Sequence, residues 1–481
     1  MNNKFLKSSF LYTIGNLLIQ GLAFFTLPIY TRVISKEAFG QFNLYMAWVG
    51  LLSLVIGLQT GGTLSSARVK YSANEYYSYV LTALSVSNIF FLTVIIVYLF
   101  FKSSLSSLFG ISESVTVFLI LQSYANYISG FFGQYFIQQQ RALLNVGISA
   151  VVAILNVFLS LYFVSVFDNA FIARVLGQLL PSIFLAITAL AYFYTRKGKR
   201  FNIKYIRFIL AVSLPLIFHQ LGHLLLNQLD RIMLGKMLNA GEVALYGFGY
   251  NIGLVMQIVL NSMNTAWVPW FFEKRKSEDS KLNRIIDNYL MFGLFLTLGY
   301  LTIFPELALL LGGVTYKGSH SFIGMIIASY FFVFLYTFPV NIQFFYANTR
   351  LIPIGTLLAA GVNFFLNYFM IPQYGSYGSA VATVISYFTL LIFHHVLTRK
   401  KYHYKDVTLR KYIILSTLVV FYSVLVTYWL ESLVIRGSLG LVILTIYYFY
   451  YRDTIKNFLR KAKINDKVKL FLGSCSNKKK Q

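Results

Sequence analysis

Long apolar runs separated by short polar segments dominate this chain. Between Phe10 and Tyr450, stretches of about twenty mostly apolar residues recur, the length an α-helix needs to cross a bilayer core. The pattern predicts an all-α membrane protein with about fourteen spans. These lie near residues 8–30, 40–61, 78–101, 115–137, 145–167, 170–194, 207–229, 242–264, 286–311, 321–347, 352–371, 376–397, 411–430 and 434–451.

Basic residues test this count. With the N-terminus placed in the cytoplasm, the inside segments hold 33 of the 41 Lys and Arg residues and the outside segments hold 8. Six lie between Arg196 and Arg207, six between Arg399 and Lys411, and ten from Arg452 to Lys480. Cytoplasmic loops carry this excess in membrane proteins. A missed or invented span would invert every later loop and erase the asymmetry. Fourteen spans with both ends inside therefore fit better than thirteen or fifteen, and twelve would follow from misreading the last hairpin.

Composition agrees. Only 12% of residues are charged, against about 25% in soluble domains, and the mean hydropathy is +0.66. A net charge of +26 would suggest nucleic acid in a soluble protein; here cationic loops face an anionic leaflet, and no nucleic-acid partner is expected. The basic tail, with Lys478, Lys479 and Lys480 near its end, reads as a lipid-facing topology anchor rather than a partner-binding segment. Lys4 and Lys7 precede a run too long for a signal peptide and without a small-residue cleavage site, so that run is taken as a retained first span. The single cysteine, Cys475, permits no internal disulfide.

Internal similarity suggests a duplication. The patch from Arg32 to Phe42 matches that from Lys236 to Tyr246 at an offset of 204, and Arg141, Asn156 and Ser160 match Arg350, Asn363 and Asn367 at 207 to 209. Six spans per repeat make the halves parallel, with substrate between them. The expected organisation is an N-terminal lobe at 1–200 (spans 1–6), a C-terminal lobe at 201–400 (spans 7–12), an appended pair at 401–451, and a basic cytoplasmic tail at 452–481.

Polar residues within lipid should face protein or water. Span 1 carries Asn16 and Gln20; span 4 carries Gln122, Asn126, Gly130, Gln134 and Gln138 on one face; span 7 carries His219, His223 and Asn227 before Asp230 and Arg231; span 8 carries Asn251, Gln257, Asn261 and Asn264; span 11 carries Asn363 and Asn367. Any one amide could be interhelical glue, but stripes in both halves favour a hydrated cavity. The histidine pair fits structural hydrogen bonding, anion contact or a protonation switch; with no HExxH pattern and no third ligand, no metal site is expected. Asp230 and Arg231 could form a helix-end ion pair. Arg174, inside span 6, either snorkels or offers a cation to a phosphate, and Arg32 has the same two readings. No P-loop, GxSxG or HExxH motif appears, so neither an enzyme nor ATP hydrolysis is expected. Coupling to an ion or to membrane potential is left open, with no cofactor.

Three stretches resemble a known family. Ser213 to Leu221 with Asn227 to Gly235, Arg32 to Phe42, and Asn363 to Thr383 are similar to the polysaccharide-export flippases of the Wzx type, within the MATE-like MOP superfamily. The resemblance covers essentially the whole chain. It implies two pseudo-symmetric six-helix lobes in a V, two further helices, alternating access and a bacterial inner-membrane location. The implied cargo is an undecaprenyl-pyrophosphate-linked oligosaccharide repeat unit for O-antigen or capsule. Membrane lipid, a polysaccharide polymerase and chain-length proteins are the further partners it implies. Arg174, Arg32, Arg231, His219 and His223 would supply the cationic lumen. A MATE-like exporter of small molecules, a lipid II flippase and a membrane-embedded polymerase are the alternatives; the first is disfavoured by few membrane acids and the last by the lack of a sizeable outer loop.

Overall fold

The computed structural model describes residues 21, 24–195, 201–278, 280–429 and 432–452, and every regular element within them is a helix. The described end of the first span, α1, covers 24–33. Next come α2 (Lys36–Gly57), α3 (Leu64–Lys70), α4 (Ala73–Phe109), α5 (Glu113–Gln138), α6 (Ala142–Val166) and α7 (Ala170–Tyr194). The second half contains α8 (Ile206–Met237), α9 (Ala240–Lys276), α10 (Leu282–Gly312), α11 (His320–Phe345), α12 (Ile352–Tyr402) and α13 (Leu409–Tyr428), followed by α14 (Leu433–Arg452).

Twelve described helices are long and apolar enough to cross a membrane. One of them is double. At 51 residues, a straight α12 would be about 77 Å long, more than twice a bilayer core. Pro372 and Gly375 break it, with Gly375 at φ 54° and ψ −137°. A Cβ at Gly378 would lie 2.6 Å from the Met370 carbonyl oxygen, so the two arms turn back closely. Two arms plus α1 bring the count to fourteen, as the basic loops require.

Short polar residues start the spans. Ser35, Ser112, Asn169, Asn239 and Thr408 each accept a hydrogen bond from an amide three residues on, and Ser72 with Glu75 forms a capping box. These contacts satisfy N–H groups that a helix leaves unpaired at its start.

Burial divides the molecule. The largest apolar cluster is built from α8 to α13, together with Leu27 and Tyr30 of α1, Ile34 and Phe39. Two others draw on α2, α3, α4, α5 and α7. Helices α6 and α14 bury little and flank the bundle. The halves meet through α2 and α9. A Cβ on Gly40 would lie 1.8 Å from the Ala240 carbonyl oxygen and 3.1 Å from the Ala244 amide nitrogen, and one on Gly247 would lie 2.9 Å from Asn43 Cγ. Gly40 with Ala244, and Asn43 with Gly247, are each 204 positions apart. Equivalent positions thus touch one another, as they do beside a two-fold axis. Ser35 and Asn239, the caps of these two helices, have the same offset.

Other contacts tie the halves at the same end. Thr31 Oγ1 donates to the Leu311 carbonyl at 2.7 Å, Arg32 to the Leu310 carbonyl at 3.2 Å, and Lys236 Nζ to the Ser107 carbonyl at 3.2 Å. At the opposite, basic face, the segment leading into α8 is held by the first half. The Tyr205 ring is buried against Tyr71 and Tyr79, the Asn202 amide donates to Thr82 Oγ1, and Lys204 pairs with Glu75.

Gly40→Val drives a side chain into helix backbone that cannot yield. Overpacking of this kind costs about 1–3 kcal/mol, so the thermal midpoint of the purified protein should fall. Gly130, whose added Cβ meets nothing within 4 Å, provides the contrast: Gly130→Ala in mid-helix should hold or raise the midpoint by removing backbone freedom.

Candidate functional site

The second half buries one carboxylate completely. Asp230 on α8 is 0% exposed. It accepts from Tyr246 of α9 at 2.5 Å, from Asn367 Nδ2 at 2.6 Å and from Thr383 Oγ1 at 2.9 Å, the last two on the two arms of α12. Asn367 Nδ2 also donates to Asn363 Oδ1 at 3.0 Å. Four spans thereby converge on one charge that lipid would not tolerate alone. The oxygens gathered here (one carboxylate, two amide carbonyls and the Tyr246 and Thr383 hydroxyls) are the donor type that hard cations prefer. No cluster of three His, Cys, Asp or Glu side chains exists among the described residues.

Asp230 and Arg231 do not act as an ion pair. Arg231 is 7% exposed and turns to its own helix, donating to the Asn227 carbonyl at 2.8 Å and to Gln228 Oε1 at 2.7 Å. Its guanidinium lies 4.4 Å from the Tyr250 ring centre. Tyr250 in turn donates to Asn227 Oδ1 at 2.8 Å. Asn227 Nδ2 donates to the His223 carbonyl at 2.7 Å and lies 3.2 Å from His223 Nδ1. His223 is exposed and His219 is half-buried with an unpaired Nδ1, so this row opens onto space that the described residues do not fill. Asn16 and Gln20 lie outside the described residues.

The first half differs. Gln122 donates to Asn126 Oδ1 at 3.0 Å and to Ser182 Oγ at 3.2 Å. Gln122 and Asn126 of the span-4 stripe thus face α7 and a cavity within their own half, while Gly130 and Gln134 further along it are exposed. The cavity has a volume of about 190 Å³. Asn126, Asn145, Asn156 and Gln178 line it with amides, and Ser129, Ser149 and Ser182 with hydroxyls. The lining carries no charge. Asn156 Oδ1 and Gln122 Oε1 are buried without a partner among the described residues.

Arg174 is the unusual cation. Residues of α7 position it four before Gln178 and eight before Ser182, along one side of the helix. Its guanidinium stands 3.7 Å from the ring centre of Tyr30, 4.1 Å from Phe42 and 5.3 Å from Phe39. Nη1 is buried and makes no hydrogen bond, and no described carboxylate pairs with it. Cation–ring contact compensates part of the lost hydration and leaves Nη1 without a hydrogen-bond partner among the described residues. Phe39 also packs edge-on against Tyr316 of the second half, at 5.7 Å, so Arg174 lies beside the seam. Arg32 is exposed and bound to the Leu310 carbonyl.

Sequence reading thus placed Asp230, Asn363 and Asn367 on the right helices but did not name Tyr246 or Thr383 as their partners. Gln178, Ser182 and Asn145 were also missed. Their positions become informative only once α5, α6 and α7 are seen to share a cavity.

This architecture defines a multi-pass membrane protein of the MOP-superfamily fold. The lipid II flippase MurJ in an inward closed conformation superposes with a TM-score of 0.73, at 14% identity, over 93% of this chain and 100% of that one. An inward-facing multidrug resistance MATE family transporter superposes at 0.58, at 14% identity, over 81% and 98%. The family described as "Polysaccharide biosynthesis protein" matches residues 5–275, more than half of the chain, and the chain belongs to it. Two Haemophilus influenzae proteins are similar. An "uncharacterized membrane protein" is 26% identical over 74% of this chain and 87% of its own length. "Lsg locus putative protein 1" is 24% identical over 73% and 87%.

Removing the Asp230 carboxylate takes the shared acceptor from three buried donors. Asn367 keeps Asn363 Oδ1 and Thr383 keeps the Ser379 carbonyl, while Tyr246 loses its short bond, and a buried donor left unpaired costs about 1–3 kcal/mol. Asp230→Ala should therefore lower the thermal midpoint well below that of Thr383→Val, which removes one donor. In a double-mutant cycle, Asp230→Ala with Asn367→Leu should cost less than the two single changes added, because the Asp230–Asn367 bond is then counted once and only the Asn363 bond remains for the second change to lose. Additive effects would show that the network does not act as a unit.

Proposed function

We propose that this protein is a flippase for lipid-linked oligosaccharide. It would move undecaprenyl-pyrophosphate-linked repeat units across a bacterial cytoplasmic membrane, by alternating access, for surface polysaccharide such as O-antigen or capsule. It would do so without chemistry of its own. The observation that carries this reading is Arg174, a cation with a buried Nη1 that lacks a hydrogen-bond partner among the described residues, seated among rings beside the seam between the halves. Membership of a polysaccharide biosynthesis family and a fold like that of a lipid II flippase point the same way.

The parts fit the cargo. A pyrophosphate wants a bidentate cation, and sugar hydroxyls want the amides and hydroxyls that both halves present. The lipid tail can remain in the bilayer while the head group passes between the lobes. With both termini cytoplasmic, the basic face is inward and the joined ends of α1, α2, α9 and α10 lie outward. The membrane potential then favours export of an anion by about 2.3 kcal/mol per charge per 100 mV. Asp230 and its oxygen neighbours are the place where an ion gradient would act on the second lobe. A polymerase and chain-length proteins would take up the delivered units.

Deleting the gene in its source cell should remove surface polymer and trap single lipid-linked units on the cytoplasmic face. Units that reach the outer face unpolymerised would indicate a polymerase; unchanged polymer with altered drug sensitivity would indicate an exporter; loss of viability through peptidoglycan failure would indicate lipid II as cargo. In the complemented strain, Arg174→Gln should cut surface polymer at least tenfold at equal protein level, and Arg174→Lys should restore part of it. Equal polymer from all three forms would remove the arginine from the mechanism. Alkaline phosphatase fused after Arg350 should be inactive and fused after Lys317 active; the reverse result would invert the orientation.

A further inference from the structure

The lipid-facing side of the second half carries a groove that the transport reading does not use. Its cavity of about 700 Å³ lies along the second arm of α12, with Leu358 of the first arm on its wall. Two adjacent rows of residues four apart form its floor. One row is Phe388, Ile392, Val396 and Lys400; the other is Thr389, Phe393, Leu397 and Lys401. Residues four apart lie above one another on a helix, so each row is a straight track.

Each track is apolar, apart from the Thr389 hydroxyl, and ends in an ammonium. Thr389 satisfies its hydroxyl on its own helix, donating to the Ile385 carbonyl at 2.9 Å. Lys400 and Lys401 occupy the last turn of α12, both exposed, and neither pairs with a carboxylate among the described residues. Twelve residues of helix rise about 18 Å, close to the depth of one leaflet of a hydrocarbon core of about 30 Å. The groove therefore has the dimensions of a single phospholipid chain with its head group held at the basic face. A polyprenyl chain would be much longer than the track.

We propose that this groove is a binding site for an anionic phospholipid of the leaflet on the basic face. The phosphate sits between Lys400 and Lys401, and one acyl chain lies along Val396, Ile392 and Phe388. Two juxtamembrane lysines favour an anionic over a zwitterionic head group by on the order of tenfold. Such a lipid would cover the outer surface of the turn-back helix whose two arms also carry Asn363, Asn367 and Thr383.

The test uses the purified full-length chain in mild detergent, offered phosphatidylglycerol and phosphatidylethanolamine together, with retained lipid counted by native mass spectrometry. The expected result is a preference for phosphatidylglycerol of about tenfold. Lys400→Gln with Lys401→Gln should abolish most of it, and Lys400→Arg with Lys401→Arg should keep it. Ile392→Trp, which fills the track, should lower retention of both lipids. Arg68→Gln with Lys70→Gln, an equal loss of charge in the first half, should leave the preference intact. Equal retention of the two lipids by the native chain overturns the proposal, as does a preference that survives the Lys400/Lys401→Gln change. A third overturning result is undecaprenyl phosphate displacing phosphatidylglycerol in a Lys400/Lys401-dependent way, which would assign the groove to the polyprenyl carrier.

Discussion

Everything about how the halves can move hangs on the crossing of α2 and α9. Gly40 lies so close to the Ala240 carbonyl that no side chain fits between them. Without a hydrophobic driving force between helices in lipid, association rests on close backbone approach at small residues. The contact is also self-referential: Gly40 faces Ala244, its own repeat mate, and Asn43 faces Gly247, its mate. A contact between equivalent positions would stay central to both halves if they rock about the axis between them, as the proposed function requires. The bonds around it are of another kind. Arg32 to Leu310 and Lys236 to Ser107 are exposed bonds between a side chain and a carbonyl at a helix end, where water can replace the partner at small cost, whereas Thr31 to Leu311 is buried. A tight pivot ringed by exchangeable polar ties is what a two-state element needs.

The halves have solved the problem of polarity in lipid differently. The second half gathers it at one carboxylate: Asp230 is buried and accepts from Tyr246, Asn367 and Thr383, binding four spans into one unit, with Asn367 Oδ1 left unpaired among the described residues. The first half leaves it open: a neutral cavity with unpaired amide oxygens, and an arginine with an unpaired nitrogen. A saturated network rigidifies its surroundings, whereas unsatisfied groups are costly until something occupies them. Buried polar atoms without a partner among the described residues occur in both halves, among them Gln122 Oε1 and Asn156 Oδ1 in the first and Gln343 Oε1 and Asn367 Oδ1 in the second, so the contrast is confined to these two sites.

Much of the fold was legible because lipid imposes coarse rules. Length and charge alternation located the spans, and the turn between Pro372 and Gly375 fell between the predicted ends of spans 11 and 12. The offset of 204 read from Arg32 and Lys236 reappears as physical contact between α2 and α9. The sites were less legible. Asn363 and Asn367 announce themselves by being polar in an apolar run. Thr383 and Tyr246 do not, because hydroxyls are common in spans and can bond their own helix, as Thr383 also does with the Ser379 carbonyl. The span-4 amides looked like the lining of a central cavity, since spacing shows which residues share a face but not what that face meets. Asp230 next to Arg231 looked like a pair for the same reason: adjacency in sequence places side chains 100° apart on a helix, and each found partners in its own direction.

Arg174 shows how the two levels combine. Sequence alone left it between snorkelling to the interface and pointing inward. The structure sets its guanidinium within 4.1 Å of the Tyr30 and Phe42 ring centres and 5.3 Å from that of Phe39, with the residue itself partly exposed. Two of those rings, Phe39 and Phe42, lie on α2, close to the Gly40 pivot, and Tyr30 lies on α1 one residue before Thr31, which bonds across to the second half. Any rocking that parts Thr31 from Leu311 therefore changes the ring cage as well. On the proposed flippase reading, the environment of Arg174 would change with the state of the seam, and a difference in its affinity for an anion between two states is what such a binding site would need.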